Sequence, residues 1–161
     1  MPRIVIETLI NSKIEICFDL SRSIDLHQIS TAETNEIAIA GKTSGLISLG
    51  EFVTWQATHF GVSQKLSSII TFYDRPNHFR DEQLKGIFKF FKHDHTFRVV
   101  SDKVKMTDIF EFESPFGVGG KLFNKIVLTK HLTKLLLKRN EIIKDFAESE
   151  KWKKLLDETL Y

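Results

Sequence analysis

Two histidines and one aspartate stand out as residues that could perform chemistry. His93 and His95 are two positions apart in a segment typical of a strand, so both side chains point to one face. Asp108 falls in the apolar register of the following strand, together with Met106 and Phe110. A carboxylate among apolar side chains needs a partner, because burial without one is costly. We therefore expect Asp108 to pair with a histidine across a hairpin.

Several functions suit such a pair. The aspartate can orient an imidazole and hold the strand register, it can form an acid–base dyad, or it can make the polar end of a pocket. A His-x-His pair on a strand also resembles some zinc ligand pairs, with His27, His59 or Asp108 available as a third ligand. The structural and anchoring roles are favoured. No metal ion, other cofactor or catalytic residue is predicted, because no nucleophile–base–orienter set is complete.

Aromatic residues surround these polar groups. Phenylalanine accounts for 14 of the 161 residues, against two Tyr and two Trp, which favours a large apolar interior or an apolar cavity. Strict alternation along residues 88–97 would divide the aromatics between both faces of the strand. We therefore predict a bulge near Phe91–Lys92. It would turn five side chains to one inner face: Phe88, Phe90, His93, His95 and Phe97.

The elements that must position these residues follow from the apolar pattern. Alternation and turn signals predict seven strands, at residues 3–10, 36–40, 51–60, 65–73, 78–83, 86–99 and 103–113. Two short helices are expected at residues 13–20 and 21–29, with Asn11–Ser12 as the turn and cap before the first. Short turns between the strands indicate an antiparallel sheet. The tail after residue 148 is predicted as a short amphipathic helix or a frayed end.

A long helix is expected over residues 115–148, where apolar residues recur at three- and four-residue spacing. Ser114 suits its N-cap and Pro115 its first position. Gly117, Gly119 and Gly120 indicate close approach of helix and sheet. The basic residues predict a solvated face, and they are Lys121, Lys125, Lys130, Lys134, Lys138, Arg139 and Lys144. Asn140 has low helix propensity, so its amide is expected to bond to the sheet or a loop.

Length and composition limit the class of protein. The chain suits one domain over residues 1–161, with a core at 1–148 and a tail at 149–161. A formal charge of +2 gives no indication of a nucleic-acid partner. No apolar run approaches the roughly 20 residues of a membrane span, and the first residues lack the apolar block of a signal peptide. The single Cys17 is expected in the core, and a cytoplasmic location is predicted.

The whole pattern resembles the helix-grip fold of the START-domain and polyketide-cyclase (SRPBCC) superfamily, in an uncharacterised bacterial branch. The motifs that carry the resemblance are Asp-Leu-His at 25–27, Val-Thr-Trp at 53–55, His-Phe-Gly at 59–61, Phe-Arg-Asp at 79–81, Gly-Ile-Phe at 86–88, His-Asp-His at 93–95, Met-Thr-Asp at 106–108, Pro-Phe-Gly at 115–117 and Leu-Leu-Lys-Arg-Asn at 136–140. The resemblance implies an α+β fold, in which a curved seven-stranded antiparallel sheet wraps around a long C-terminal helix. Two short helices lie between strands 1 and 2.

What the resemblance implies for function is a deep pocket between the sheet and the last helix. We expect it to bind a small hydrophobic or lipid-like ligand. The predicted apolar wall comprises Trp55, Ile70, Phe72, Phe88, Phe90, Phe110 and Phe112, and the predicted polar end comprises His59, His93, His95 and Asp108. The alternatives are a cyclase- or dehydratase-type enzyme with a pocket histidine as general base, and a regulatory protein-interaction module without ligand. A homodimer is left open.

Overall fold

The computed structural model describes residues 1–113 and 124–161. The strands are β1 (Arg3–Ile10), β2 (Ile37–Gly41), β3 (Phe52–His59), β4 (Val62–Asp74), β5 (His78–Lys85), β6 (Phe90–Val100) and β7 (Lys103–Glu113). The α-helices in these ranges are α1 (Ile14–Ser21), α2 (Ile24–Ser30) and α3 (Thr129–Ala147). A short π-helical segment, Asn124–Leu128, precedes α3, and 3₁₀ turns occur at Ala32–Thr34, Glu150–Lys154 and Glu158–Leu160.

The seven strands form one antiparallel sheet in the order β1-β7-β6-β5-β4-β3-β2. Strands β2 to β7 follow one another as hairpins, and β1 pairs with β7 over its whole length. The predicted arrangement of seven antiparallel strands, two early short helices and a long late helix is therefore confirmed. It also places β6 and β7, which carry the predicted His93, His95 and Asp108, side by side.

The register between β6 and β7 is uninterrupted. Pairs run without a shift from Phe90–Glu113 to Val100–Lys103, where a two-residue turn closes the hairpin. The predicted bulge near Phe91–Lys92 is therefore wrong. Plain alternation puts Phe91, rather than Phe90, on the same buried face as the two histidines.

The irregularities lie elsewhere in the sheet, once between β2 and β3 and twice between β4 and β5. One register shift falls between Ser67 and Ser68, and another between Ile70 and Phe72. The second shift inserts one extra residue into β4, so the side chains after it point to the opposite face from the one that strict alternation would give. Ile70 is buried, whereas Phe72 is 43% exposed and packs against His78. The prediction that Phe72 belongs to the inner wall is wrong for this reason.

The two short helices cover one end of the sheet. Helix α1 begins after Lys13, which makes no side-chain cap, so the predicted cap at Asn11–Ser12 is wrong. Helix α2 is capped by Ser23, whose Oγ accepts a hydrogen bond from the Leu26 amide at 3.2 Å. Cys17 is fully buried, and burial raises the pKa of its thiol to about 12. It is therefore an inert core residue, as predicted.

Helix α3 packs against β1, α1 and α2. Its buried residues include Arg139, Asn140, Ile143 and Ala147. The prediction that placed Arg139 on the solvated face is therefore wrong. The predicted cap at Ser114, the helix start at Pro115, and the glycines Gly117, Gly119 and Gly120 lie outside the described residues.

Apolar side chains form two buried clusters. One joins α1, α2 and the middle of the sheet around Phe18, Phe97 and Met106. The other surrounds Phe91 and Phe112, and Leu132 and Leu136 of α3 pack against it. The tail packs on the first cluster, and the Tyr161 hydroxyl donates a hydrogen bond to Asp19. None of the helices in the described ranges has the length and apolar character that crossing a lipid bilayer requires.

Candidate functional site

A cavity of about 460 Å³ lies between the inner face of the sheet and α3. Most of its wall is apolar. The apolar lining side chains are Ile24, Ile47, Val53, Trp55, Ala57, Phe60, Leu66, Ile70, Phe79, Ile87, Phe88, Phe91, Phe110, Leu128, Leu132, Leu135 and Leu136. Apart from Arg22, the charged and imidazole side chains reach the lining in two places. We call them the inner and the outer polar group.

The inner polar group comprises Asp81, His93, His95, Asp108 and Arg139. Strand register brings four of them together, because Asp81 of β5 is opposite His93 of β6, and His95 is opposite Asp108 of β7. All four lie on the inner face by alternation. Each histidine therefore stands between carboxylates from the two adjoining strands. Arg139 reaches the same place from α3.

Asp108 is the centre of this group and is 0% exposed. Its Oδ1 atom lies 3.1 Å from His93 Nε2 and 2.7 Å from His95 Nδ1. The angle of the first contact suits a hydrogen bond, and that of the second does not. Asp81 Oδ1 lies 3.1 Å from His95 Nε2 and 3.9 Å from His93 Nδ1. The predicted Asp–His pair across the hairpin is confirmed, and it is part of a larger network.

Helix α3 completes the network. Asn140 Nδ2 donates to Asp108 Oδ2 at 2.6 Å and to Thr8 Oγ1 at 3.2 Å, which confirms the prediction that its amide bonds to the sheet. Arg139 Nη1 lies 3.4 Å from Asp108 Oδ1, and its Nη2 donates to the Ser21 carbonyl at 2.7 Å. The buried carboxylate thus fixes α3 against β1, β7 and the end of α1.

The charges of the inner group are mutually dependent. Burial alone would raise the pKa of Asp108, but the hydrogen bond from His93, the close contact with His95 and the charges of His95 and Arg139 hold it well below its usual value. Burial would lower the pKa of His95, yet contacts with Asp108 and Asp81 raise it. Burial and the neighbouring His95 lower the pKa of His93. With His95 protonated, two cations balance two carboxylates.

The outer polar group comprises His27, Glu36, His59 and His131. His59 Nδ1 and His131 Nε2 are 3.1 Å apart and share one hydrogen bond. His27 Nε2 lies 3.5 Å from Glu36 Oε2, and its ring stacks on Trp55. Burial lowers the pKa of both His59 and His131. These residues come from α2, the segment before β2, the end of β3, and α3.

The structure distributes the predicted site residues unevenly. Seven of them touch the cavity, namely Trp55, His59, Ile70, Phe88, His93, His95 and Phe110. Asp108 lies behind the two histidines and does not line the cavity. Phe112 is fully buried in the cluster next to the cavity. Phe90 is only half-buried, because the regular register turns it away from the cavity and puts Phe91 in its place. Phe72 is on the outer face, and His59 belongs to the outer group rather than to the inner one.

Sequence reasoning missed several lining residues. Asp81 shares its face with Phe79 by simple alternation, but only the β5–β6 register shows that it meets His93. Arg139 stands in a lysine-rich helix, where its spacing resembles that of solvated neighbours. Glu36 and His131 reach the cavity from segments whose packing no local pattern indicates.

Comparison with known proteins identifies the fold of this chain. No protein-family model matches this chain, and no curated protein matches it. Among solved structures, the protein TTHA0849 from Thermus thermophilus is similar over 88% of this chain and 97% of its own, with 16% identity and a TM-score of 0.69. Major latex-like protein 151 from Panax ginseng is similar over 92% and 98%, with 14% identity and a TM-score of 0.67.

A third similar structure is the di-domain ARO/CYC protein StfQ of the steffimycin biosynthetic pathway. The match covers 91% of this chain and 50% of StfQ, with 10% identity and a TM-score of 0.70. These likenesses show the fold: the chain is a helix-grip protein, as its sequence motifs predict. At such identities they do not extend to activity or ligand.

Proposed function

We propose that this protein binds a small hydrophobic or lipid-like molecule in the cavity between its sheet and α3. The observation that carries the proposal is the cavity itself. Its volume of about 460 Å³ falls in the range of roughly 300–1,000 Å³ that is usual for small-molecule sites. The apolar wall with polar groups at two separate places is the usual composition of such a site. A protein-interaction module with a closed, well-packed interior fits this geometry less well.

The polar groups support a ligand that carries oxygen. Arg139 and Asp81 both line the cavity, so a hydroxyl, carbonyl or carboxylate of the ligand can meet a donor or an acceptor there. Gln64 also lines the cavity, and its Oε1 atom is buried without a hydrogen-bond partner among the residues that the structure describes. A buried acceptor of this kind is costly unless a ligand or water donates to it. We therefore propose an amphipathic ligand.

Binding can be tested with 8-anilinonaphthalene-1-sulfonate, a fluorescent apolar anion. We expect the wild-type protein to bind it with about one equivalent and a blue-shifted emission. Leu132→Trp adds an indole to the cavity wall from α3 and is expected to weaken binding at least ~10-fold, about 1.4 kcal/mol. The measurement is a fluorescence titration, with circular dichroism to verify that the variant is folded.

The matched control is Leu137→Trp, on the exposed side of the same helix. It adds the same side chain outside the cavity and should leave the titration unchanged. Equal effects of both variants, or no effect of Leu132→Trp, would place the probe elsewhere and reject the proposal. Mass spectrometry of an organic extract of the purified protein then identifies any ligand retained from the cell.

A further inference from the structure

Three residues of the inner polar group bring ligand-type atoms close together. Within the described part of the chain, Asp81, His93 and His95 each offer an oxygen or nitrogen atom, and these atoms all lie within 4.8 Å of one another. Asp81 Oδ1 is 3.1 Å from His95 Nε2 and 3.9 Å from His93 Nδ1. Ligand atoms around a tetrahedral zinc ion lie about 3.3 Å apart, as bond lengths near 2.0–2.1 Å require. The two distances from Asp81 lie on either side of that value.

The opposite ring nitrogens of both histidines face a second carboxylate. In His93, Nδ1 faces Asp81 and Nε2 lies 3.1 Å from Asp108 Oδ1. In His95, Nε2 faces Asp81 and Nδ1 lies 2.7 Å from Asp108 Oδ1. A carboxylate behind a metal-binding histidine fixes its tautomer and ring orientation, and such pairs are usual at metal sites.

The second carboxylate is itself held firmly. Asp108 is fully buried, and Asn140 and Arg139 contact it at 2.6 Å and 3.4 Å. It therefore cannot turn toward the cavity, and it acts on the histidines from behind. The hydrogen bond between His95 and Asp81 at 3.1 Å joins two of the three remaining ligand atoms, and a bound ion would replace it.

We propose that Asp81, His93 and His95 bind a divalent transition metal ion of the zinc type, with at least one coordination position open to the cavity. Two imidazole nitrogens and one carboxylate oxygen form a three-ligand set that suits zinc or ferrous iron. All three protein ligands also line the cavity, so a further ligand can reach the ion from that side. This proposal goes beyond binding of an apolar molecule and does not depend on it.

The charges determine which further ligand the ion would accept. Asp81 and Asp108 carry two negative charges and Arg139 one positive charge, and a divalent ion with neutral histidines leaves the group at +1. An anionic oxygen, such as hydroxide, carboxylate or enolate, restores neutrality. If the proposed ligand binding is correct, the oxygen-bearing end of that ligand would take this position.

The test uses the full chain after treatment with a chelator. Co²⁺ is titrated in while visible absorption is recorded, because its d–d bands report coordination number directly. We expect one equivalent to bind, with the intense bands of a four- or five-coordinate ion, and Zn²⁺ to displace it. X-ray absorption of the Zn²⁺-loaded wild type should show about two imidazole ligands, the number proposed.

Variants identify the ligands. Asp81→Asn and His93→Gln should each weaken Co²⁺ binding by at least ~10-fold, the size of losses at metal sites. The matched controls are Asp94→Asn, a carboxylate of β6 that pairs with Arg80 and His78, and His59→Gln, which lines the same cavity outside the group. Both controls should bind Co²⁺ like the wild type.

Two results would overturn the proposal. One is wild-type protein that binds no stoichiometric Co²⁺ or Zn²⁺, and the other is X-ray absorption without two imidazoles. The second remains decisive even if the variants fail to fold. Binding of 8-anilinonaphthalene-1-sulfonate by metal-free protein separates the two proposals, because that probe tests the apolar wall alone.

Discussion

The two polar groups of the cavity are built in contrasting ways. The inner group takes four of its five residues from three consecutive strands, and all of its side chains except that of Asp81 are buried. The outer group takes its residues from α2, β3, α3 and the segment before β2, and its side chains are partly exposed. The inner group contains two carboxylates and an arginine, whereas the outer group has one carboxylate for three histidines.

This difference determines what each group can contribute. Strand register holds the inner atoms at fixed separations, so they can be aimed at one point and balanced in charge. The outer histidines meet through packing of separate elements, and burial favours the neutral state of His59 and His131. We therefore expect the inner group to control stability and any specific recognition, and the outer group to respond mainly to pH.

Asp108→Asn should have the largest effect. It leaves the geometry nearly unchanged but removes the charge that balances Arg139 and protonated His95, so the free energy of unfolding should fall by about 3–5 kcal/mol. Urea denaturation measures it. Glu113→Gln removes the exposed ion-pair partner of Lys89 at the end of the same strand and should cost at most about 1 kcal/mol. Similar losses in both variants would contradict the special position of Asp108.

Asn140→Leu should have the next largest effect. It keeps the number and branching of the non-hydrogen atoms of the side chain but removes the amide that donates to Asp108 and Thr8, and an unsatisfied buried acceptor costs about 1–3 kcal/mol. The same urea assay applies. Combining it with Asp108→Asn should give much less than the sum of the single effects, since both act on one network. Strict additivity would show that α3 is held by other contacts.

Glu36→Gln tests the outer group. The free energy of unfolding should fall by a smaller amount, about 1 kcal/mol, because the contact between Glu36 and His27 is long and partly exposed. Glu36 also raises the pKa of His59 against the effect of burial, so that pKa should fall further in the variant. NMR titration of the imidazole protons reports it. An unchanged His59 titration would mean that the two residues do not interact.

His59→Gln should have the smallest effect, visible only in the pH profile. The folded protein lowers the pKa of His59 and His131, so the unfolded chain takes up more protons, and stability is lost as pH falls below about 6.5. The variant should lose less stability than the wild type between about pH 7 and 5, by under ~1 kcal/mol because the pair is solvent-screened. Thermal melts across this range measure it, and parallel profiles would contradict the expectation.

Local patterns predicted the fold well. The bounds expected for the first and last strands, residues 3–10 and 103–113, are those of β1 and β7. Alternation and turn residues are local properties, so they can be recognised without knowing the partners. The pairing of Asp108 with the histidines could be predicted for a similar reason, since the two strands are joined by a short turn.

The rest of the site depends on information that local patterns lack. The outward position of Phe72 cannot be read from the sequence because the extra residue in β4 is defined only by its pairing with β5. The contact of Asp81 with His93 follows only from the β5–β6 register. The burial of Arg139 depends on the rotation of the helix against the sheet, which is a tertiary property. Each of these features concerns pairing or packing between elements, which is also what assembles the cavity.

The turn at Ser101–Asp102 determines which residues of β6 and β7 are paired, even far from the turn. It joins Val100 to Lys103 with Ser101 in the left-handed conformation, and the pairing continues unbroken to His95 opposite Asp108. One extra residue in this turn would shift β7 by one position relative to β6. The residue opposite His95 would then no longer be Asp108, and the side chains of β7 would exchange faces of the sheet. A surface loop about 20 Å from the carboxylate, six residues at roughly 3.4 Å each, thus sets the alignment of the cavity's polar end.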